Sequence, residues 1–293
     1  MAMPHFEYHQ PTSLEEALDL LAAHRADVRV IAGGTDLVPR MRLGAMAPGH
    51  VVSINRIPGL RAITYQPDDG LVIGAAARVS EVAAHPDVQQ NYPALAYACR
   101  VMATPQVRNM ATVAGNIANS SPSADTAAPL LAYDAKVVLV ERGGRRQVPL
   151  KDFFTGPGQN VMENMEMIEA IRVPSPPPGA GSCYLRISAR SKVDIAAVGV
   201  AAMVVLDPSG GILAARIALG AVAPTPLRAF EAEEILTGAE PNDELIKRAA
   251  AACVRASRPI DDVRASAAWR RAMVEVLARR AISRCIEMAK EGE

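Results

Sequence analysis

Residues 30–39 read VIAGGTDLVP: a short apolar run, two glycines, Thr35-Asp36, then Leu37-Val38-Pro39. A glycine pair adopts positive φ and lets another group approach the main chain. Successive backbone N–H groups in such a turn make a concave anion site, and a helix starting just beyond it adds its positive end. A strand, Gly33-Gly34, Thr35-Asp36 and a short helix therefore suit a diphosphate, although the same residues also describe a plain tight turn. Residues 111–125 read ATVAGNIANSSPSAD. Small residues again surround a backbone turn, here at Ala114-Gly115-Asn116. Thr112, Asn116, Ser120, Ser121 and Ser123 offer neutral hydrogen-bonding groups, and Asp125 offers a carboxylate suited to the hydroxyls of a ribose or ribityl chain. There is no GxGxxG dinucleotide turn and no GxxxxGK[ST] phosphate loop. Two glycine turns from two sub-domains would grip one long diphosphate ligand from both sides. Two unrelated turns are the bland alternative.

The other reactive residue types form no constellation. Cys99, Cys183, Cys253 and Cys285 are far apart and make no CxxC pair, so this chain alone is not expected to build a zinc or iron–sulfur site. Buried thiols are the expectation. His5, His9, His24, His50 and His85 form no pair at metal-ligand spacing and are expected to be ordinary. No Ser-His-Asp or Cys-His arrangement is visible, so no catalytic residue and no metal ligand is assigned.

The elements that must carry the two turns are legible. Ser13 is an N-cap candidate, with Glu15 and Glu16 in the first turn of a helix, and Leu14, Ala17, Leu18 and Leu21 give its apolar stripe. VRVIAG is a buried strand ending at the glycines, residues 37–43 a short helix, and HVVSIN (50–55) a second strand. With the extended start these make a β-α-β-α-β unit of about 55 residues. AITYQ and LVIGAAA read as a hairpin. A short helix at 79–85, initiated by Ser80, and a more apolar one at 92–102 follow. Residues 107–119, which mix β-branched residues with glycine, read as a loop leading to a tight turn. A helix at 124–132 and strands at 136–141 and 168–173 complete this part. SPPPGAGS (175–182) marks a boundary near 178. Beyond it come strands at 183–189, 195–206 and 212–219, then helices at 229–236, 242–256 and 266–289. Met273, Val276, Leu277, Ala281 and Ile282 form the apolar stripe of the last helix. Its neighbourhood is arginine-rich (Arg264, Arg270, Arg271, Arg279, Arg280, Arg284), which reads as a solvated or subunit-facing surface, with Trp269 as a packing or interface anchor.

With 293 residues the chain is long enough for two or three domains. Lys+Arg and Asp+Glu both number 31, and without a basic excess nucleic acid is not an expected partner. Balanced charge is compatible with a subunit of a complex. No apolar run reaches the roughly 18 residues of a membrane-spanning helix, and the start lacks a basic-then-apolar signal pattern. The expected location is cytoplasmic.

Taken together, AGGTDLVPRMR (32–42), IGAAARVSEV (73–82), TPQVRNMATVAGNIANSSPSADTAAPLLA (104–132), RISARSKVDIAAV (186–198) and APTPLRA (223–229) give the chain a close resemblance to the FAD-binding medium subunit of the molybdenum hydroxylases, the carbon monoxide dehydrogenase and xanthine dehydrogenase family. The resemblance runs in order along nearly the whole chain. It implies an α+β (mixed α/β) fold: a two-part FAD-binding region of the PCMH type, residues 1–57 and 58–178, followed by an α+β C-terminal domain, residues 179–293, with a small antiparallel sheet and helices. It implies FAD as cofactor. Ile31, Ala32, Gly33, Gly34, Thr35, Asp36 and Leu37 would lie at the diphosphate from one side, and Thr112, Gly115 and Asn116 from the other. Asp125 would bind flavin hydroxyls, and Ile168 would lie near the adenine. Arg186 stands where the family commonly has lysine, near the flavin ring, and Ile195 would lie close to the isoalloxazine. The family usually has Gly-Gly-Asn where this chain has Ala114-Gly115-Asn116. If Ala114 needed positive φ, the penalty would be about 1 kcal/mol. The branch with an inserted four-cysteine iron–sulfur loop, the benzoyl-CoA-type reductases, is disfavoured.

The resemblance further implies an electron exit. A molybdenum-cofactor large subunit would hydroxylate a substrate, two [2Fe–2S] clusters on a small subunit would carry the electrons to FAD, and NAD+, a quinone or another acceptor would take them, in a dimer of heterotrimers. The alternatives are a stand-alone FAD oxidoreductase and a non-enzymatic, flavin-free assembly subunit.

Overall fold

The computed structural model describes residues 3–190 and 193–291. Ser191 and Lys192, inside the RISARSKVDIAAV segment, lie outside the described residues. Three main sheets follow one another along the chain, with a small two-stranded one beside the second. The first comprises β1 (Glu7–His9), α1 (Leu14–His24), β2 (Val28–Ile31), α2 (Leu37–Arg42) and β3 (His50–Ser53), with strand order β1-β3-β2 and both pairings parallel. Ser13 caps α1 by accepting from the Glu16 N–H at 3.1 Å. Ala17, Leu18 and Leu21 bury the face turned to the sheet. Because the strands are parallel, β2 delivers Gly33 and Gly34 to the end of the sheet where such folds bind ligands.

The second unit contains β4 (Ile63–Gln66), β5 (Gly70–Gly74), α3 (Val79–Ala84), α4 (Pro86–Asn91), α5 (Pro93–Val101), α6 (Pro105–Arg108), α7 (Val113–Ala118), α8 (Ala127–Ala132), β6 (Lys136–Glu141), β7 (Gly144–Pro149), the small pair β8 (Phe154–Gly156) and β9 (Gln159–Asn160), and β10 (Met167–Val173). Its main sheet is antiparallel in the order β4-β5-β10-β6-β7. Two sequence expectations are corrected here. Helix α3 is capped from Arg78, whose N–H donates to the Glu81 carboxylate at 2.9 Å, and not from Ser80. The expected loop over 107–119 is largely helical. Thr112 accepts from the Gly115 N–H at 2.9 Å and starts α7. An N-cap threonine immediately ahead of an otherwise weak helical stretch decided the outcome.

The third unit has β11 (Ala180–Ser188), β12 (Ala196–Leu206), β13 (Ile212–Gly220) and β14 (Leu227–Arg228) in one antiparallel sheet, then α9 (Phe230–Leu236), α10 (Asp243–Ala256) and α11 (Ala267–Glu291). Every residue of β12 is buried. Its side chains alternate as a strand's must: Val198, Val200, Ala202 and Val204 join the core under the helices, while Ala201 and Met203 join the core of the second unit. Helix α8, with all six residues buried, is packed on the same side of that sheet. The buried face of α11 includes Leu277, Ala281 and Ile282 of the expected stripe together with Val274, Ala278 and Cys285, whereas Met273 and Val276 are only partly buried. Arg270 is not on a solvated surface. It is buried and donates to the carbonyls of Ala197 and Ala221 at 3.0 and 2.8 Å and to Asp262 at 2.6 Å. All four cysteines are buried and unpaired as disulfides. No helix of the described residues is long and apolar enough to cross a membrane.

Candidate functional site

The two glycine turns meet. A cleft of about 520 Å³ opens between them, within the range of cofactor sites. Its first wall is the 31–37 turn and its second is the segment around α7. Val193, Asp194 and Ile195 border it from the third unit.

The two glycines are required for different reasons. Gly34 has φ +68°, a conformation that a side chain opposes. Gly33 does not have positive φ, but a Cβ there would strike the Met110 carbonyl oxygen and come within 2.9 Å of Ala111 Cα. What lies against the first turn is the backbone of the second. The turns are also tied through side chains, since Asn119 Nδ2 donates to Asp36 Oδ1 at 3.0 Å. Asn55 Nδ2 steadies the first turn from behind by donating to the Ala32 carbonyl at 2.9 Å. Burial pushes the Asp36 carboxyl above its ordinary range, against the lowering effect of Arg40.

In the second wall, Thr126 Oγ1 donates to Asn116 Oδ1 at 2.6 Å, which fixes the Asn116 amide with its NH2 free to face the cleft. Ala114 lies inside α7 with negative φ and is buried. Alanine is therefore unstrained there, and the backbone penalty raised for it from sequence does not arise.

The cleft's deepest charge is Asp125. Its Oδ1 accepts from the Tyr184 hydroxyl at 2.7 Å and its Oδ2 from Arg186 Nη1 at 3.0 Å. Arg186 also donates to the carbonyls of Val101 and Asp194. Burial pushes the Asp125 carboxyl up, while Arg186 and Tyr184 hold it down. Burial and the Asp125 charge together raise the Tyr184 hydroxyl well above its usual value, so Tyr184 stays a donor.

The residues singled out from sequence line this cleft except Ala114, Ser120, Ile168 and Arg186; Ser120 is buried and its hydroxyl donates to the Ile117 carbonyl at 3.2 Å. Ile168 is buried in β10, paired with Leu139 of β6, and belongs to the sheet's core. Arg186 does not present its guanidinium to the cleft as expected, because Asp125 and two carbonyls hold it beneath the floor. Arg29, Arg40, Met102 and Val107 line the cleft too and were not anticipated. Arg29 and Arg40 bracket the first turn in sequence, and their charge was the available signal.

Two family models match the chain. One describes the FAD binding domain in molybdopterin dehydrogenase and covers residues 4–176. The other describes the CO dehydrogenase flavoprotein C-terminal domain and covers residues 183–285. The chain belongs to the FAD-binding medium subunits of the molybdenum hydroxylase family. It is similar to the carbon monoxide dehydrogenase medium chain of Hydrogenophaga pseudoflava, with 38% identity over 97% of this chain and 98% of that one. It is also similar to the xanthine dehydrogenase FAD-binding subunit of Escherichia coli O157:H7, with 34% identity over 96% of each chain. Among solved structures, the carbon monoxide dehydrogenase of Hydrogenophaga pseudoflava that lacks the Mo-pyranopterin moiety superposes with a TM-score of 0.94 over 98% of this chain and 99% of that one, at 38% identity. Quinoline 2-oxidoreductase from Pseudomonas putida 86 gives 0.92 at 27% identity, over 99% of each chain.

As a medium subunit of this family the chain is part of an oxidoreductase, and its cofactor is FAD. The cleft's donor set fits that group. Among the described residues the backbone N–H groups of Gly33, Gly34, Thr35 and Asp36 donate to no protein acceptor. Four successive free donors in a concave turn, with Arg29 and Arg40 beside them, are what an anionic diphosphate needs. The fold is the mixed α/β one that the resemblance implied.

Proposed function

We propose that this chain is the electron exit of a molybdenum hydroxylase-type dehydrogenase. Electrons would arrive from [2Fe–2S] clusters on a small subunit, after substrate hydroxylation at a molybdenum-cofactor large subunit, and would leave to NAD+, a quinone or another acceptor. The single observation that carries this reading is the convergence of the N–H-rich glycine turn after β2 and the capped start of α7, from two units of the chain, on one cleft bordered by the third unit.

The roles follow from position. The N–H groups of residues 33–36, with Ile31, Ala32 and Leu37 around them, hold the diphosphate from one side. Thr112, Gly115 and Asn116 hold it from the other. Asp125 keeps a second lone pair on each oxygen and accepts from flavin hydroxyls. Arg186 positions Asp125 rather than touching the ring. Val193 and Ile195 are exposed apolar residues at the cleft edge, placed to cover the isoalloxazine and exclude water. Ile168 supports the cleft only indirectly, from the core of the second unit. When bound, FAD supplies the electron transfer between the partner clusters and the acceptor. No side chain of this chain is assigned acid–base work, because such transfer needs proximity above all. The complex is proposed to be a dimer of heterotrimers, located in the cytoplasm.

The test is an absorbance spectrum of the purified chain, repeated after adding FAD and desalting. Retention of about one FAD per chain, as one diphosphate cleft requires, supports the cleft as the cofactor site. Adding the partner subunits and then NADH asks whether the flavin bleaches, which bears on the acceptor. No retained flavin, even with both partners present, would overturn the electron-exit reading in favour of the flavin-free assembly role.

A further inference from the structure

The sequence offered no histidines at metal-ligand spacing, yet folding brings three together. His9, His24 and His50 each present a ring nitrogen, and these atoms all lie within 4.8 Å of one another. They come from three elements. Glu7 and His9 are two apart on β1 and so share one face. His50 opens β3 directly opposite Glu7 in the parallel register. His24 is the last residue of α1, which stops there because Arg25 takes φ +46°. Among these atoms, His9 Nε2 is 3.1 Å from His50 Nδ1. The His24 and His50 rings are stacked with centroids 3.5 Å apart. Glu7 Oε2 lies 3.6 Å from His50 Nδ1 and 3.9 Å from His9 Nε2.

We propose that His9, His24 and His50, with Glu7 as fourth ligand, form a binding site for one borderline divalent transition-metal ion, with zinc as its reference occupant. Three imidazoles and one carboxylate match that ion's ligand preference. Bonds of about 2.0–2.1 Å set the nitrogens of a tetrahedral site about 3.3 Å apart. The His9–His50 pair already has that spacing, and His24 reaches it by rotating out of its stack. Without an ion, His9 Nε2 and His50 Nδ1 share a hydrogen bond, which coordination to one ion would replace. The other charged groups around the cluster do not compete for the site. The Asp27 carboxylate is engaged by the Gly49 N–H at 2.8 Å, and Arg25 is exposed at the helix end.

The site lies at the end of the first sheet where Val28 of β2 pairs with His50, whereas the glycine turn leaves the opposite end of β2. The ion would fasten the three-residue edge strand β1 to α1 and β3. It is a staple for the N-terminal unit and takes no part in electron flow.

The experiment uses the full chain without a histidine tag, cleared of metal by chelation and titrated with zinc chloride by calorimetry. The expected result is one zinc per chain and a raised thermal midpoint. His24→Gln and His50→Gln should each weaken binding by more than about 100-fold, since losing even a supporting contact costs about 10–100-fold. His5→Gln should match the parent, and FAD content should be unchanged in all. Cobalt(II) provides a readout on the parent chain alone, independent of whether the variants fold: the intense visible bands of a four-coordinate ion are expected. A weak six-coordinate spectrum, no saturable zinc binding, or parent-like binding by both variants would each overturn the site.

Discussion

Arg186 Nη1 and Asp125 Oδ2 form an ion pair at 3.0 Å in which only 6% and 7% of the two side chains are exposed. One partner lies on β11 of the third unit and the other just ahead of α8 in the second, so the pair joins two units directly beneath the cleft. Removing the arginine would leave an uncompensated buried carboxylate. We expect Arg186→Met to cost about 3–5 kcal/mol. It should also change the pH dependence. Asp125 is already pushed up by burial, and the loss of Arg186 raises it further. A carboxyl whose folded pKa is raised favours the fold below its unfolded value, and that contribution is lost as pH rises through the folded one. Urea midpoints at about pH 5 and about pH 8 should therefore diverge more from the parent at the higher pH. Arg186→Lys should be milder, because the charge is kept and only the planar fork is lost.

Gly33→Ala should weaken both stability and FAD retention, because the added Cβ strikes the Met110 carbonyl. Overpacking of this kind costs about 1–3 kcal/mol. Gly34→Ala acts instead through its φ of +68°, at about 1–2 kcal/mol. Thermal midpoints with and without added FAD distinguish the two effects. Strain alone lowers both midpoints equally, while damage to the diphosphate site removes the FAD-dependent rise.

Thr112→Val deletes the hydroxyl that caps α7 through the Gly115 N–H. The expected cost is about 0.5–2 kcal/mol, together with weaker FAD binding, because α7 forms one wall of the cleft. Thr104→Val removes the corresponding cap of α6 and should leave FAD affinity near the parent value. Flavin fluorescence titration checks both.

Asp262 anchors the buried Arg270. Desolvation is the largest single influence and pushes the carboxyl up, but the Arg264 N–H, the Arg270 guanidinium and the Ala265 N–H together outweigh it and hold the carboxyl at about 2. A depressed carboxyl stabilises the fold above its unfolded value near 3.9, and that stability is lost as pH falls through the folded value. Asp262→Asn should thus be less stable at neutral pH and should show a flatter acid limb between about 4 and about 2. Denaturant midpoints measured across that window check it.

Much of this was legible in the sequence where one local signal decides the outcome. Ser13 and its glutamates placed α1, and apolar runs set between Pro/Gly turns placed β11 to β13. The glycine pair located the cleft because a missing side chain is visible in a sequence. The exceptions have a common cause. Arg186, Ile168, Arg270 and the three histidines take their surroundings from residues far along the chain, and nothing in their own neighbourhoods records those partners. Arg186 read as a cleft cation because its ionic partner is 61 positions away. Residues 107–119 read as loop because glycine and β-branched residues score poorly as helix, while a single threonine cap outweighed them.

The alternation of β12 has a consequence for the connection before the third sheet. Side chains of that one strand enter two cores, Tyr133 meets Ser182 at 2.6 Å, and Asp134 is paired with Arg216 and Arg228. Residues 174–179, between β10 and β11, are therefore a covalent thread between parts already held together without it. A protease that cut there would leave a nicked molecule migrating as one particle, and two fragments made separately should find each other and restore the cleft.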